Sequence, residues 1–115
     1  MKNNFKTVIV DDEWLIRSEL KQLLSNYNSI KVVGEAGSVK EATQLLTDTK
    51  PDLVFLDIHL PGESGFNLLN KVNMDFKIIF ISAFDQYMSK AKKYKAEAYL
   101  MKPINMKQLS KVIHN

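Results

Sequence analysis

Cysteine is absent from the 115 residues, which excludes disulfides, thiolate metal sites and a cysteine nucleophile and is compatible with a reducing compartment. Histidine is nearly absent as well. His59 and His114 stand too far apart in sequence to form a metal pair by local spacing. No run approaches the roughly 20 apolar residues of a membrane span. The opening Met1-Lys2-Asn3-Asn4-Phe5-Lys6 lacks the apolar stretch of a signal peptide. These absences predict a soluble, cytoplasmic protein with no membrane partner. An excess of one charge is missing too, since 16 Lys and Arg against 13 Asp and Glu leave a net +3. That is too little to argue for nucleic-acid binding, which needs basic residues gathered on one face. Only Lys90, Lys92, Lys93 and Lys95 come close to such a group. Internal repeats, low-complexity tracts, linkers and a P-loop are all lacking.

What is present is an ordinary globular composition, 45% hydrophobic and 25% charged, in a chain long enough to bury about two thirds of its unfolded surface in one core. A single domain over residues 1–115 is expected. Short apolar runs punctuate it: Thr7-Val8-Ile9-Val10, Val32-Val33 within 30–34, Leu53-Val54-Phe55-Leu56, Ile78-Ile79-Phe80-Ile81 and Ala98-Tyr99-Leu100-Met101. Each is too short for a helix and reads as a buried strand. Between them, apolar residues recur at helical spacing. Ile16, Leu20, Leu23, Leu24 and Tyr27 predict a helix of about four turns. Ser38 and Glu41 form a capping-box signature ahead of Val39, Ala42, Leu45 and Leu46. Phe66, Leu69 and Val72 mark a short helix starting near Ser64, and the segment 58–65 before it, with Pro61, Gly62 and Gly65, reads as a loop. Tyr87, Ala91 and Tyr94 give a fourth helix with a solvated lysine side, and Asn105 caps a fifth with Met106, Leu109, Val112 and Ile113 inward. Alternating strands and helices predict an α/β fold, a doubly wound five-stranded parallel sheet with five helices.

In such a sheet, ligands collect at the carboxyl ends of the strands. Here those ends carry Asp11 and Asp12, Asp57, Ser82 and Lys102. A lone Asp at such a junction reads as readily as a turn cap. Together the residues are complementary. Crowded carboxylates raise one another's pKa unless a cation is shared, and an all-oxygen, incomplete cage favours Mg²⁺ over zinc or calcium. Lys102 adds a positive charge and Ser82 a hydroxyl. This set suits a phosphoryl group on Asp57, half desolvated yet reachable, with the carboxylate attacking phosphorus and the cations neutralising its oxygens.

Val10-Asp11-Asp12-Glu13, Leu56-Asp57-Ile58-His59-Leu60-Pro61-Gly62, Ser82-Ala83 and Lys102-Pro103 together resemble the receiver domain of bacterial two-component response regulators, from about Lys6 to the end of the chain. The resemblance implies a flavodoxin-like (CheY-like) strand order 2-1-3-4-5 and a receiver with no output domain within residues 1–115. It implies that Asp57 is the phosphoacceptor, taking phosphate from a sensor histidine kinase with Mg²⁺. Asp12 would be the direct metal ligand, Asp11 would act largely through water, and Asp57 and the backbone carbonyl of His59 would complete the set. Ser82 and Lys102 match the phosphate-sensing hydroxyl and lysine, the Ala83 amide is a further donor, and Tyr99 matches the aromatic switch position. The Lys102-Pro103 bond is expected cis. His59 and Phe84 would flank the line of water attack, and Phe84 offers no hydrogen bond to that water, so slow self-dephosphorylation is expected. Such a protein is no enzyme on a separate substrate but a signalling phosphoacceptor with self-catalysed transfer and dephosphorylation. Its output would run through the surface of helix four, strand five and helix five, with homodimerisation on phosphorylation. Ala83-Phe84-Asp85-Gln86-Tyr87 and Ala98-Tyr99-Leu100-Met101-Lys102-Pro103-Ile104 are similar to receivers joined to LytTR-type DNA-binding domains. DNA would then be reached only through a C-terminal effector regulating transcription.

The alternative is a small Asp-nucleophile phosphohydrolase of the haloacid dehalogenase kind. It requires an acid two residues after the nucleophile, where this chain has His59, and a cap for which there is no room. A flavodoxin-like cofactor binder would place phosphate in the loop after the first strand, where Asp11-Asp12-Glu13 repels it.

Overall fold

Each apolar run splits its side chains between two cores, because successive residues of a strand point to opposite faces. Val8 and Val10, Val54 and Leu56, and Ile78 and Phe80 enter one core, while Ile9, Leu53, Phe55, Ile79 and Ile81 enter the other. The computed structural model describes residues 4–73 and 75–113; His114 lies outside the described residues. The strands are β1 (Phe5–Val10), β2 (Ile30–Ala36), β3 (Leu53–Asp57), β4 (Lys77–Ser82) and β5 (Ala98–Met101). They form one sheet in the order β2-β1-β3-β4-β5, every pair parallel. This is the doubly wound order expected. β3, at the centre, is buried along its whole length.

Helices α1 (Trp14–Leu24) and α5 (Met106–Val112) cover one face, and α2 (Val39–Thr49), α3 (Gly65–Leu69) and α4 (Met88–Lys93) the other. Full burial of side chains such as Phe55, Phe80 and Leu20 contributes about 1.5–3 kcal/mol each. Among the described residues no helix is long and apolar enough to cross a membrane.

Several boundaries differ from the periodicity for local chemical reasons. α1 stops at Leu24, short of Tyr27, because the Ser25 hydroxyl donates to the Gln22 carbonyl and the Asn26 amide to that of Leu23, capturing carbonyls that open at a helix end. Tyr27 is buried all the same. β2 runs past Gly34 to Ala36. At α2, the Ser38 hydroxyl accepts from the Glu41 N–H at 3.2 Å, but the Glu41 carboxylate reaches back to Gly37 N–H at 2.8 Å rather than to Ser38. Asn105 and Gln108 complete a reciprocal box at α5. α4 has six residues, with Tyr87 and Tyr94 as its flanks. Its lysine side is not wholly solvated, since Lys90 Nζ lies 4.6 Å from the centroid of Phe66.

The segment expected as a loop contains a small antiparallel ribbon, His59–Leu60 with Glu63–Ser64. Pro61 and Gly62 make its turn, with Gly62 at φ 73°, a conformation that a glycine adopts without strain. Gly65 then opens α3 so close to the central strand that a Cβ there would stand 2.4 Å from the Asp57 carbonyl oxygen. The contact is with backbone and cannot be relieved by a rotamer.

Gly65→Ala is therefore expected to cost at least about 2 kcal/mol through overpacking, whereas Gly62→Ala, facing open space, costs about 1 kcal/mol through its positive φ. Urea denaturation of the two variants measures the difference. Equal and small losses would show that α3 can back away from Asp57.

Candidate functional site

Parallel register brings the polar strand ends to one edge. Asp11 follows β1, Asp57 closes β3 opposite Ile81, Ser82 closes β4 opposite Met101, and Lys102 follows β5. The first three share a local device in which the side chain accepts a hydrogen bond from the N–H two residues on. Asp11 Oδ1 accepts from Glu13 at 2.9 Å, Asp57 Oδ1 from His59 at 3.2 Å, and Ser82 Oγ from Phe84 at 3.0 Å. Such Asx- and Ser-turns stop the strands and orient the side chains. The turn-capping role and a site role are thus compatible, because each carboxylate spends one oxygen on its turn and keeps the other for the crevice.

Lys102 occupies that crevice. Its Nζ lies 2.8 Å from Asp11 Oδ2 and 3.1 Å from Asp57 Oδ2, and its backbone N–H donates to the Ser82 carbonyl at 2.8 Å. The Lys102-Pro103 peptide is cis. Asp11 and Ser82 have no exposed surface and Asp57 only 3%, a deeper burial than the half-desolvated position expected. Burial first, and the charge of Asp11 second, push the Asp57 carboxyl up to about 6 against the pull of Lys102. Burial pulls the Lys102 pKa down, but its bonds to Asp11 and Asp57 outweigh this and hold it above the ordinary lysine value.

One ammonium does not balance two buried carboxylates and a third beside them. Carboxylate oxygens of Asp11, Asp12 and Asp57 all lie within 4.8 Å of one another. Asp11 Oδ2 is enclosed yet receives no well-aligned hydrogen bond, its ion pair with Lys102 being one of distance only. Asp12 is exposed and leaves the cluster open on one side. An all-oxygen set with surplus negative charge, a buried oxygen whose one partner is the Lys102 ammonium, and an open face fits a hard divalent cation of the Mg²⁺ type.

Around the rim, Ala83 and Phe84 are exposed, and Phe84 is held at both ends of its backbone. Its N–H is bound to Ser82 and its carbonyl accepts from the half-buried Tyr99 hydroxyl. The His59 ring stands edge-on to Phe84 at 5.2 Å and to Tyr87 at 5.1 Å. Sequence reasoning missed Tyr87 here, having placed it on a core stripe. It also missed Gly65, for which a Ser-Gly pair at the helix start was the signal, and Arg17, whose Nη1 donates to the Asp11 carbonyl at 2.7 Å. Arg17 had only its place on the polar side of α1 to mark it.

Comparison with known proteins agrees with the fold. A family model described as the response regulator receiver domain matches residues 7–114. The chain is 45% identical over 109 residues to the sensory transduction protein LytT of Enterococcus faecalis (strain ATCC 700802 / V583), covering 92% of this chain and 45% of that protein. It is 40% identical over 111 residues to the transcriptional regulatory protein BtsR of Salmonella typhi, covering 95% and 46%. Among solved structures it is similar to the response regulatory domain of protein mrkE from Klebsiella pneumoniae, at 27% identity and a TM-score of 0.83, covering 93% of this chain and 90% of that one. The chain spans about half the length of the curated relatives it matches.

The raised Asp57 pKa gives a signed pH dependence. Between the ordinary 3.8 and about 6 the folded chain holds a proton at Asp57 that the unfolded chain has lost, so folding stability falls as pH rises through this window. The loss attributable to Asp57 is on the order of 2–3 kcal/mol without divalent cation. Denaturation of wild type and Asp57→Asn from pH 4 to 8 should show the variant gaining on the wild type across that window. Parallel curves would mean that Asp57 ionises freely.

Proposed function

The chain belongs to the response regulator receiver family of two-component signalling, and on that premise we propose that Asp57 accepts a phosphoryl group from a phosphohistidine of a sensor histidine kinase. The observation that carries this reading is the placement of Asp57, buried at the end of the central strand, against Lys102 and within reach of two further carboxylates. An Asp57 oxygen attacks phosphorus, the donor's P–N bond breaks, and its electron pair stays with the imidazole nitrogen. At neutral pH, above its raised pKa of about 6, Asp57 is mostly the carboxylate that such an attack requires. Asp11, Asp12, Asp57 and the His59 backbone carbonyl would hold a Mg²⁺ ion, which would supply positive charge against the phosphoryl oxygens. Lys102 supplies a second positive charge. The Ser82 hydroxyl, whose oxygen accepts from Phe84, keeps its proton for the phosphoryl group, and the exposed Ala83 amide is a second donor. Phe84 offers the hydrolytic water no hydrogen bond, which favours a slow self-catalysed loss of phosphate. The phosphohydrolase alternative needs an acid at His59, whose ring instead packs between Phe84 and Tyr87.

Output follows from the doubly held Phe84. When the Ser82 hydroxyl turns to the phosphoryl group, Phe84 N–H loses its acceptor, and the carbonyl that anchors Tyr99 moves with the same residue. Tyr99 then turns inward and the surface of α4, β5 and α5 changes shape. Both states must lie within a few kcal/mol for one phosphoryl group to reverse their populations. Residues 1–115 act as a single receiver domain, and the switched surface forms a homodimer that drives a transcriptional effector outside this chain, the part that would reach DNA.

Incubation with a small-molecule phosphodonor and Mg²⁺ should add one acid-labile, hydroxylamine-sensitive phosphoryl group to the wild type and none to Asp57→Asn. Incorporation into the variant at the wild-type rate would remove Asp57 as the acceptor.

The switch is tested by sedimentation with and without a beryllofluoride mimic. The mimic should shift wild type towards dimer and leave Tyr99→Ala largely monomeric. An unchanged wild type, or a variant that dimerises as well, would exclude this output route.

A further inference from the structure

The acid pair is aimed by a side chain that touches neither carboxylate. Asp11 is fully buried, and each of its polar groups has a neighbour. Its N–H donates to the Ala36 carbonyl at 3.0 Å, Oδ1 accepts from Glu13, Oδ2 faces Lys102, and its carbonyl accepts from Arg17 Nη1 at 2.7 Å. That carbonyl belongs to the peptide joining Asp11 to Asp12, so its direction fixes the plane from which Asp12 departs. Among the described residues no hydrogen bond or ion pair holds the Asp12 carboxylate. Its aim therefore comes from the backbone alone.

Arg17 is itself gripped. Its Nε donates to Glu35 Oε1 at 2.7 Å, and its side chain is 18% exposed. Glu35 stands near the end of β2, opposite Ile9 of β1, and also binds Lys21. A Cβ at Gly37 would lie 3.3 Å from Arg17 Nη1 and 3.5 Å from Glu41 Oε1, so the guanidinium is enclosed on that side too. The group spans α1, the end of β1 and β2. Only a guanidinium can meet a carboxylate and a carbonyl at once with rigid geometry. Glu35 offsets the charge of Arg17, which would otherwise repel a cation entering beside Asp11.

We propose that Arg17, clamped by Glu35, is a positioning residue that orients the Asp11–Asp12 peptide and thereby sets the affinity of the acidic pocket for a divalent cation. The inference rests on the reading of that pocket as a Mg²⁺ site, and groups that orient metal ligands from behind commonly change affinity by about 10–100-fold when removed.

The test is calorimetric titration of the chain with Mg²⁺, alongside thermal unfolding without metal. Arg17→Ala should weaken Mg²⁺ binding by about tenfold or more, and Arg17→Lys should fail to restore it although it keeps the charge. Glu35→Ala should weaken binding in the same direction. Lys21→Ala removes the other ion pair between α1 and Glu35 without touching Asp11, and should change affinity by less than about twofold. Should Arg17→Ala fail to fold, Arg17→Lys and Glu35→Ala carry the test. Wild-type affinity in the Arg17 variants, or a loss in Lys21→Ala as large as in Arg17→Ala, overturns the clamp while leaving the metal site intact. A wild type that binds no Mg²⁺, or an Asp12→Ala variant that binds as well as wild type, overturns the metal reading itself and the clamp with it.

Discussion

The ammonium of Lys102 between two buried carboxylates is the interaction on which the rest of this molecule turns. It lies 2.8 Å from Asp11 and 3.1 Å from Asp57, and it leaves the pocket with one negative charge in excess before Asp12 is counted. Removing ions from water costs several kcal/mol each after relaxation, so such a pocket persists only if the remaining charge is relieved. A proton relieves it, as the upward push on Asp57 to about 6 records. A divalent cation relieves it better. The imbalance is thus no defect of packing but the property on which the proposed binding of a cation and a phosphoryl group rests.

Holding that imbalance requires a scaffold that does not give way. The parallel sheet supplies it by burying β3 on both faces and pairing it with β1 and β4 in continuous register. The same Asx- and Ser-turns that stop β1, β3 and β4 fix the side chains' direction. Gly65 lets α3 close behind Asp57. The local rules that end a strand and the long-range rules that crowd charges act on the same residues, and neither could be satisfied by substitution without disturbing the other.

The strands were legible because four-residue apolar runs ending in Asp, Ser or Lys admit few readings, and once they lie parallel their ends must share an edge. That is why the sequence alone groups Asp11, Asp12, Asp57, Ser82 and Lys102. What periodicity does not carry is the pairing of side chains across elements. The contact of Arg17 with the Asp11 carbonyl, the edge-on contacts of His59 with Phe84 and Tyr87, and the packing of Lys90 over Phe66 join residues on different elements. Nothing in the spacing of any one element marks them. Helix ends were misplaced where polar side chains captured backbone groups, as Ser25 and Asn26 do after α1. Even the depth of Asp57 was underestimated, because burial at a strand end depends on the neighbours that cover it.

The distribution of stability around the pocket bears on the proposed switch. α2 is anchored by three buried side chains, Val39, Ala42 and Leu46, and capped by Ser38. α4 has six residues, no side-chain cap and one buried residue, Ala91. Elements with few buried apolar contacts open at low free-energy cost, so α4 is more readily displaced than α2. It follows directly on the loop in which Phe84 links Ser82 to Tyr99. In the proposed switch a change in charge at Asp57 would reach this weakly anchored helix, while Arg17, held by Glu35, binds the Asp11 carbonyl on the far side of β3. Firm bracing beside the acid pair and weak anchoring at α4 thus divide this small domain along its central strand, as the proposed cation binding and surface switch require.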